Sequence, residues 1–452
     1  MVKKFANSIE TVENLMESNE ITPIEVIEEF YARILKLEPT IKAFAHLRSK
    51  DDVIQEVISK MNKDNSSQPL LGISYAVKDN VHVDSLPLEA GSKILKGYIS
   101  DKNATIIERL NKAGAIMIGK AAMAEFASGG GAPKTKNPWN FAHTPGGSSM
   151  GSASALSSDM LMFSIGTQTS GSVIRPASYN GLTALKPTFG QISKAGIIPA
   201  SWSVDGVGIF TKNVKDLKYV YNEIAGFDIK DHCTYSYKDK ILYLTDGDLS
   251  KRFKIGIISD DYFIATDEVM TAFTEAVHLL ESQGHSITAT SMPASFEQAN
   301  IAHGIVVDSE TASYHASYFD EKKDLFSSEL RFDIEQGLSY SAVDYLQAQE
   351  TRWKYKCAFK KVFDKVDLLI TPATTETAPK GLEKTGSPKF NKPFSNAGLP
   401  VLTLPIGFSD ETDLPIGIQI IANYDCEQSL VDLGEQLQTE FDYQNQSPNL
   451  NE

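Results

Sequence analysis

The chain is most distinctive between residues 145 and 176, where it reads Pro145-Gly146-Gly147-Ser148-Ser149-Met150-Gly151-Ser152-Ala153 and then Gly166-Thr167-Gln168-Thr169-Ser170-Gly171-Ser172-Val173-Ile174-Arg175-Pro176. These segments belong to a region rich in glycine, serine and threonine that spans residues 128–215. Two apolar segments, Met160–Ile165 and Leu182–Leu185, interrupt the region, whereas a flexible linker would lack them. The composition therefore predicts a tightly built site within a folded core.

The sequence on either side of this region predicts alternating strands and helices. Leu71–Val77 and Ala115–Ile118 have the apolar character of buried strands, and Thr105–Lys112 between them has the pattern of a helix. Further strands are predicted at Phe253–Ile258, Leu368–Ile370, Val401–Ile406 and Ile416–Ile421. Strands that alternate with helices are typical of an α/β fold.

The chain shows neither an internal repeat nor a clear interdomain linker, so we expect a single domain over residues 1–452. Within it we expect N-terminal helices at about 1–65, a catalytic core at about 66–290 and about 366–440, and a helical excursion at about 295–365. In the N-terminal part, Thr22-Pro23-Ile24-Glu25 predicts a helix start, because Thr22 can cap the helix and Glu25 can complete a capping box.

The composition argues against several classes of protein. The formal net charge is −15 and the sequence pI is about 5.1, and we find no Lys/Arg cluster that could displace counterions from phosphate. The N-terminus lacks the apolar core of a signal peptide, and no segment approaches the ~20 apolar residues that cross a bilayer. The three cysteines form no C-x-x-C pair. We therefore expect a cytoplasmic protein that binds neither nucleic acid nor membranes.

The motifs of metal, phosphate and nucleotide chemistry are missing from the sequence. None of the eight histidines belongs to an H-E-x-x-H motif, and the chain has neither a G-x-x-x-x-G-K-[ST] loop nor a G-x-G-x-x-G fingerprint after a strand. We therefore expect no metal and no cofactor. Gly147–Gly151 matches G-x-S-x-G around Ser149, but His143–Gly147 before it cannot form the strand that a nucleophile elbow needs.

Several motifs, in a fixed order along the chain, closely resemble those of the amidase signature family. They are Ala76-Val77-Lys78-Asp79-Asn80, Asn137-Pro138-Trp139-Asn140, the two segments between residues 145 and 176, Gly181-Leu182-Thr183-Ala184-Leu185-Lys186-Pro187-Thr188, Asp367-Leu368-Leu369-Ile370-Thr371-Pro372, Asn396-Ala397-Gly398-Leu399-Pro400 and Leu414-Pro415-Ile416-Gly417-Ile418-Gln419. The resemblance spans residues 20 to 440 or so. It implies an α/β fold of the amidase signature type, in which helices cover both faces of a large, mixed, twisted β-sheet.

The resemblance also implies a role for each matching residue. Ser172 would be the nucleophile, Ser148 the bridging serine held in a cis peptide, and Lys78 the base, and these three would form the catalytic triad. The oxyanion hole would consist of the backbone amides of Thr169, Ser170, Gly171 and Ser172. The supporting residues would be Gly147, Ser149 and Arg175. Asp205 is interpreted as a further brace, and Glu125 as either a pocket residue or a solvated helix charge.

These residue types suit the cleavage of an amide without a metal. A serine hydroxyl is a weak nucleophile that needs an adjacent base, and a neutral lysine can act as that base through a second hydroxyl. A free lysine has a pKa near ~10.4, but burial beside the apolar residues 73–77 would lower it. Lys120 and Lys186 are rivals that we interpret as structural, because only Lys78 has the Lys-Asp-Asn context.

Three residues depart from the common family pattern without removing a reacting group. Met150 and Ser170 stand where glycine is common, and Gln168 stands where many members have aspartate. The Gly-Ser-Val-Ile-Arg-Pro form that contains Ser172 resembles that of small-molecule amidases rather than that of the transamidosome subunit. We therefore expect a free-standing amidase that hydrolyses the linear C–N bond of a carboxamide to a carboxylate and an amine or ammonia.

Other functions stay open at this point. The site could belong to a glutaminase-type amidotransferase subunit that supplies ammonia to a partner, or to a carbamate or ester hydrolase. The alternative that is not an enzyme is a catalytically silent binding protein on the same scaffold. The expected partner is a small-molecule amide, and a homodimer is left open.

Overall fold

The structure is a computed structural model, and it describes residues 8–62, 68–128, 130, 134–441, 443 and 446–450. The two ends of the expected domain, the expected boundary near residue 65, and Gly129 and Gly131 of the glycine-rich region lie outside the described residues. Among the described helices, none has the length and apolar character needed to cross a membrane. The three cysteines are free.

The described strands form a single mixed sheet. They are β1 (Phe44–Leu47), β2 (Ser74–Lys78), β3 (Ile116–Ala121), β4 (Phe163–Gln168), β5 (Thr183–Lys186), β6 (Gly206–Thr211), β7 (Lys254–Ile258), β8 (Ser286–Thr290), β9 (Leu368–Pro372), β10 (Val401–Phe408) and β11 (Pro415–Ala422). Their order across the sheet is β1-β3-β2-β4-β6-β5-β10-β11-β9-β7-β8. The triplets β3-β2-β4 and β9-β7-β8 are parallel, and the pairs between them are antiparallel.

The described α-helices precede, separate and follow these strands. They are α1 (Ile9–Glu17), α2 (Pro23–Ile41), α3 (Lys50–Met61), α4 (Thr105–Lys112), α5 (Met150–Ser157), α6 (Ile174–Tyr179), α7 (Asp216–Ile224), α8 (Asp267–Ser282), α9 (Phe296–His315), α10 (Phe319–Lys322), α11 (Ser328–Ser339), α12 (Ala342–Phe363), α13 (Lys392–Ala397) and α14 (Glu427–Phe441). The predicted start of α2 is confirmed, because Thr22 and Glu25 form a reciprocal capping box.

Helices cover both faces of the sheet. Successive residues of a strand point to opposite faces, and the buried strands have apolar side chains on both faces, so each face needs a covering layer. In β2, for example, Tyr75 and Val77 pack into one core and Ala76 packs into another. The first core includes side chains of α4, α7, α8 and α14, and the second includes side chains of α3, α5, α6, α12 and α13. This arrangement confirms the predicted mixed α/β fold.

The topology brings several of the predicted site residues to one edge of the sheet. Since β2 and β4 are parallel neighbours, their carboxyl ends meet at the same edge, and these ends are Lys78 and Gln168. Ser148 precedes α5 by two residues, and Ser172 precedes α6 by two residues. Both helices are buried along their whole length.

Candidate active site

Lys78 is fully buried at the end of β2, where it contacts the neighbouring strand β4. Its Nζ donates to Ser148 Oγ at 2.7 Å, to Thr167 Oγ1 at 2.9 Å and to the Thr167 carbonyl at 3.2 Å. Burial lowers the pKa of Lys78 from 10.5 to about 7, and the more distant Asp205 opposes this effect. Near neutral pH, a substantial fraction of Lys78 is therefore an uncharged amine.

Ser148 lies in a tight turn before α5, and the peptide bond between Gly147 and Ser148 is cis. The buried Arg175 holds this turn, because its Nη2 donates to the Gly147 carbonyl at 2.6 Å and its Nη1 to the Gly386 carbonyl at 2.8 Å. A side chain would not fit at Gly147, since a Cβ there would lie 2.6 Å from Thr385 Cγ2. Arg175 and Gly147 thus fix the backbone that carries Ser148.

Ser172 lines a cavity of about 280 Å³ on the approach to α6. Other residues named from the sequence that line this cavity are Ser148, Thr169, Ser170, Gly171 and Arg175. The Ser172 hydroxyl has no hydrogen-bond partner within the described part of the chain, and the residue is 8% exposed. The hydroxyl is therefore available to a molecule in the cavity.

The backbone from Thr169 to Ser172 forms a loop whose four amides have no acceptor among the described residues. Gln168 holds this loop at its base, because its Oε1 accepts from the Val173 amide at 2.8 Å. The Gln168 Nε2 donates to Ser395 Oγ at 2.8 Å, and Ser395 Oγ donates to a carbonyl of the loop at 2.9 Å. The N–H donor of a glutamine, which an aspartate lacks, makes this chain of hydrogen bonds.

Two titratable side chains brace the same loop. Thr169 Oγ1 donates to Asp205 Oδ1 at 2.5 Å, and Asp205 Oδ2 accepts from two backbone amides. Burial raises the pKa of Asp205. Ser170 Oγ lies 2.9 Å from His303 Nε2, and burial lowers the pKa of His303 to about 3. The imidazole is therefore neutral at physiological pH.

The two rival lysines lie elsewhere. Lys120 forms a buried ion pair with Asp79 at 3.0 Å. Lys186 donates to the Pro187 carbonyl at 2.9 Å, and burial lowers its pKa to about 7. Neither lysine is among the described residues that line the cavity of Ser172. Of the three lysines, the structure brings only Lys78 into contact with a predicted site serine.

Ser149 and Glu125 are buried braces outside the cavity. Ser149 Oγ donates to the Thr167 carbonyl at 3.2 Å. Glu125 is 3% exposed and accepts from Ser92 Oγ at 2.5 Å and from the Ser327 amide at 2.9 Å. The solvated-charge interpretation of Glu125 is wrong because the residue is buried. Its carboxylate joins the segments that contain Ser92 and Ser327, and Glu125 is not among the described residues that line the cavity.

Several side chains that contact the candidate residues are not singled out by the sequence, among them Thr167, His303 and Ser395. Thr167 could have been found, because it lies at the end of β4 beside the predicted strand of Lys78. His303 comes from α9 and Ser395 from α13, far along the chain from the motifs. No local pattern marks either residue, and only the packing of the helices reveals them.

Known proteins resemble the chain over most of its length. A family model described as Amidase matches residues 25–431. The chain belongs to the amidase family. Members of this family act on amide C–N bonds, so the protein is an enzyme of that broad class. The family membership predicted from the motifs is thereby confirmed.

Among relatives of this amidase-family enzyme, the glutamyl-tRNA(Gln) amidotransferase A subunit of Sulfolobus acidocaldarius is 32% identical over 481 residues, covering 98% of this chain and 100% of that protein. The crystal structure of the corresponding protein from Thermotoga maritima matches with a TM-score of 0.80 at 26% identity, covering 94% of each chain. The peptide amidase of Stenotrophomonas maltophilia has the same fold, with a TM-score of 0.84 at 23% identity and 98% coverage of each chain.

Proposed function

We propose that this amidase-family enzyme hydrolyses a carboxamide through an acyl-enzyme on Ser172, with Ser148 and Lys78 as a proton relay. The observation that carries the proposal is the 2.7 Å contact between Lys78 Nζ and Ser148 Oγ beside a cavity that Ser172 also lines. A buried amine with a pKa of about 7 has the proton affinity that a general base needs near neutral pH.

The hydrogen bonds of Lys78 suit a neutral base. An uncharged amine has two N–H donors and one lone pair, and the hydroxyl and carbonyl of Thr167 accept from two donors. In this uncharged form, the Ser148 hydroxyl donates to the lone pair of Nζ across the 2.7 Å contact at which the charged ammonium form is the donor. As Ser172 Oγ attacks the amide carbonyl, its proton passes to Ser148 Oγ while the Ser148 proton passes to Lys78 Nζ. The Ser172 hydroxyl must turn toward Ser148 for this step, and catalytic hydrogen bonds commonly tighten only in the substrate complex.

The loop from Thr169 to Ser172 would stabilise the negative charge that develops on the substrate oxygen. Four amides without protein acceptors can donate to an oxyanion at no cost in broken hydrogen bonds. Collapse of the tetrahedral intermediate breaks the C–N bond, and the relay returns a proton to the leaving nitrogen. A water molecule that loses its proton to the relay then attacks the ester on Ser172, which releases a carboxylate and restores the hydroxyl.

The scheme uses no metal and no cofactor, and the same acyl transfer would cleave an ester or a carbamate of similar shape. The cavity of about 280 Å³ suits a small-molecule substrate rather than a folded protein. Arg175, Gly147 and Ser149 would position the two serines. Arg175 donates to the Gly147 carbonyl, and Ser149 donates to the Thr167 carbonyl, so their hydrogen bonds hold the protein backbone.

A second candidate function is favoured by the sequence relatives. The relatives at 30–33% identity are named as the A subunit of glutamyl-tRNA(Gln) amidotransferase, and such a protein would hydrolyse glutamine to supply ammonia to a partner chain. Co-purification of a partner, together with glutamine hydrolysis that the partner stimulates, would favour this candidate. Hydrolysis of simple amides by the isolated chain, with no activity on glutamine, would favour the free-standing amidase.

The Ser172→Ala variant tests the proposal. We expect its rate of amide hydrolysis to fall by at least ~10³-fold, because the nucleophile is removed. Its circular dichroism should stay that of the wild type, because the Ser172 hydroxyl has no hydrogen-bond partner among the described residues and its loss leaves no buried polar group unpaired. Peptide mapping after treatment with a fluorophosphonate is expected to find the adduct on Ser172. The matched control is Ser152→Ala, whose hydroxyl is buried against the Ile165 carbonyl, and it is expected to stay active. Amide hydrolysis by Ser172→Ala at the wild-type rate refutes the proposal.

A further inference from the structure

The cavity of Ser172 is completed by residues from outside the catalytic loops. Helix α9 contributes Val307 and Thr311, and helix α11 contributes Asp333. The remaining residues from outside the catalytic loops are those of the turn at 126–128, together with Ala200, Thr385, Gly386 and Pro388. Among the described lining residues, Asp333 is the one acidic side chain and Arg175 the one basic side chain. A molecule that reacts at Ser172 thus shares its cavity with a carboxylate.

The Asp333 carboxylate has no cationic partner among the residues that the structure describes. Its Oδ2 accepts from Ser128 Oγ at 3.2 Å, and no Lys or Arg of the described chain forms an ion pair with it. Burial, assisted by Glu329 and opposed by the Ser128 hydrogen bond, raises the pKa of Asp333. Asp333 is therefore a half-buried acid in the cavity, and no described Lys or Arg compensates its charge through an ion pair.

The groups around Asp333 do not neutralise it. Asp308 on α9 lies close enough that burial and the Asp333 charge raise the pKa of Asp308 to about 7. Lys392 acts on Asp308 in the opposite direction but is not among the residues that line the cavity. Arg175 is engaged by the Gly147 and Gly386 carbonyls, which hold it in the wall of the catalytic turn. The acidic part of the cavity therefore lacks a counter-ion from the described part of the protein.

We propose that Asp333 determines substrate specificity by binding an ammonium group of the substrate, so that the preferred substrates are small amides that carry a second, cationic amine. This inference rests on the proposed function, because it takes Ser172 as the position of the reacting carbonyl. An ammonium group would form a charge-assisted hydrogen bond with the Asp333 carboxylate. A substrate carboxylate at the same position would be repelled by Asp333 and Asp308.

The test uses three amides with acyl chains of equal length that end in a methyl, an ammonium or a carboxylate group. The kcat/KM of each is measured for the wild type, Asp333→Asn and Glu335→Gln. Glu335→Gln is the matched control because it removes the same charge from the same helix. Glu335 pairs with Lys323 at 2.5 Å and is not among the described residues that line the cavity.

We expect the wild type to prefer the ammonium amide over the methyl amide by ~10- to 100-fold, as a charge-assisted hydrogen bond supplies. Asp333→Asn is expected to reduce this ratio to below ~3-fold, mainly through a higher KM for the ammonium amide, and to improve relative activity on the carboxylate amide. Glu335→Gln is expected to keep the wild-type ratio. Asp333→Glu, which retains the charge, is expected to keep a preference for the ammonium amide.

Two outcomes overturn the assignment. One is equal kcat/KM for the ammonium and methyl amides in the wild type. The other is an unchanged ratio in an Asp333→Asn protein that unfolds at the wild-type temperature. If Asp333→Asn does not fold, the wild-type ratio and the Asp333→Glu variant decide the question. Failure of the proposed function has a different signature, namely no fluorophosphonate adduct on Ser172.

Discussion

Lys78 and Lys120 lie on adjacent strands, and their surroundings give the two buried amines different properties. Burial lowers the pKa of both residues. For Lys120, the ion pair with Asp79 opposes this effect and favours the charged form. Within the described part of the chain, Lys78 forms hydrogen bonds only with neutral oxygens, those of Ser148 and Thr167. The absence of a carboxylate at hydrogen-bond distance among the described residues, rather than burial alone, therefore suits Lys78 to act as a base.

The Thr167→Val substitution tests how Lys78, the proposed base, is held. It removes the hydroxyl that accepts from Lys78 Nζ at 2.9 Å and leaves a side chain of similar shape. Because this hydrogen bond favours the charged form of Lys78, we expect its loss to shift the acidic limb of the kcat/KM profile to lower pH and to lower kcat/KM by ~10-fold. Thr403→Val is the control, since its hydroxyl donates to the Ile418 carbonyl. If the acidic limb of the kcat/KM profile has the same midpoint in Thr167→Val as in the wild type, the hydrogen bond from Lys78 to the Thr167 hydroxyl does not affect the pKa of the base as expected.

Whether the sequence predicts an element depends on how that element packs. The strand that ends in Lys78 and the helix Thr105–Lys112 are predictable because their apolar patterns match buried strands and amphipathic helices. Helix α5 escapes prediction because it is buried on every side and consists mainly of small residues, so it has no apolar face. Strand β6, Gly206–Thr211, escapes prediction because its two glycines are typical of loops.

Some residues of the candidate site are predictable from sequence motifs, and others are not. The motifs around residues 78, 148 and 172 predict that these residues converge, and the structure places Lys78 against Ser148. The bracing by His303 and Ser395 depends on α9 and α13 packing against the loop of Ser170. Such contacts follow from tertiary packing, which leaves no local signal in a single sequence.

The two glycines of the α9–α11 pair test how closely these helices pack. A Cβ at Gly337 on α11 would lie 2.0 Å from the Asp308 carbonyl on α9, whereas a Cβ at Gly304 on α9 would meet nothing within 4 Å. We expect Gly337→Ala to lower the free energy of unfolding by about 3 kcal/mol because the backbones must separate. Gly304→Ala is expected to raise it by ~0.5–1 kcal/mol through higher helix propensity. Urea unfolding measures both, and equal effects of the two substitutions contradict the packing.

Over the whole molecule, buried lysines make the stability of the fold depend on pH. Burial lowers the pKa of Lys186 from 10.5 to about 7, opposed by Glu427. Between these two values, the unfolded chain keeps Lys186 protonated while the folded protein holds it mostly neutral. The unfolded state thus binds more protons, and the contribution of Lys186 to the free energy of unfolding increases as the pH rises from about 7 to about 10.

The Lys186→Met variant isolates this effect. We expect the melting temperature of the wild type to rise relative to that of Lys186→Met as the pH increases from about 7 to about 9.5. In this range folding of the wild type releases the proton on Lys186, so burial of the lysine becomes less unfavourable as the pH rises, whereas the methionine variant has no such titration. Lys354→Met, which removes an exposed lysine that pairs with Glu350, is the control and should track the wild type. A constant difference between the wild type and Lys186→Met across this range argues against a neutral Lys186.

The rate at which a fluorophosphonate modifies Ser172, followed by intact mass from pH 5 to 9, tests most directly whether an uncharged Lys78 activates this serine through Ser148. Since only the neutral amine accepts a proton and its pKa is about 7, the account predicts that the rate rises ~10-fold per pH unit below pH 7 and levels off above it. Lys78→Met and Ser148→Ala should react slowly at every pH. A wild-type rate that does not change between pH 5 and 9, or a Lys78→Met variant that reacts as fast as the wild type, would contradict the account.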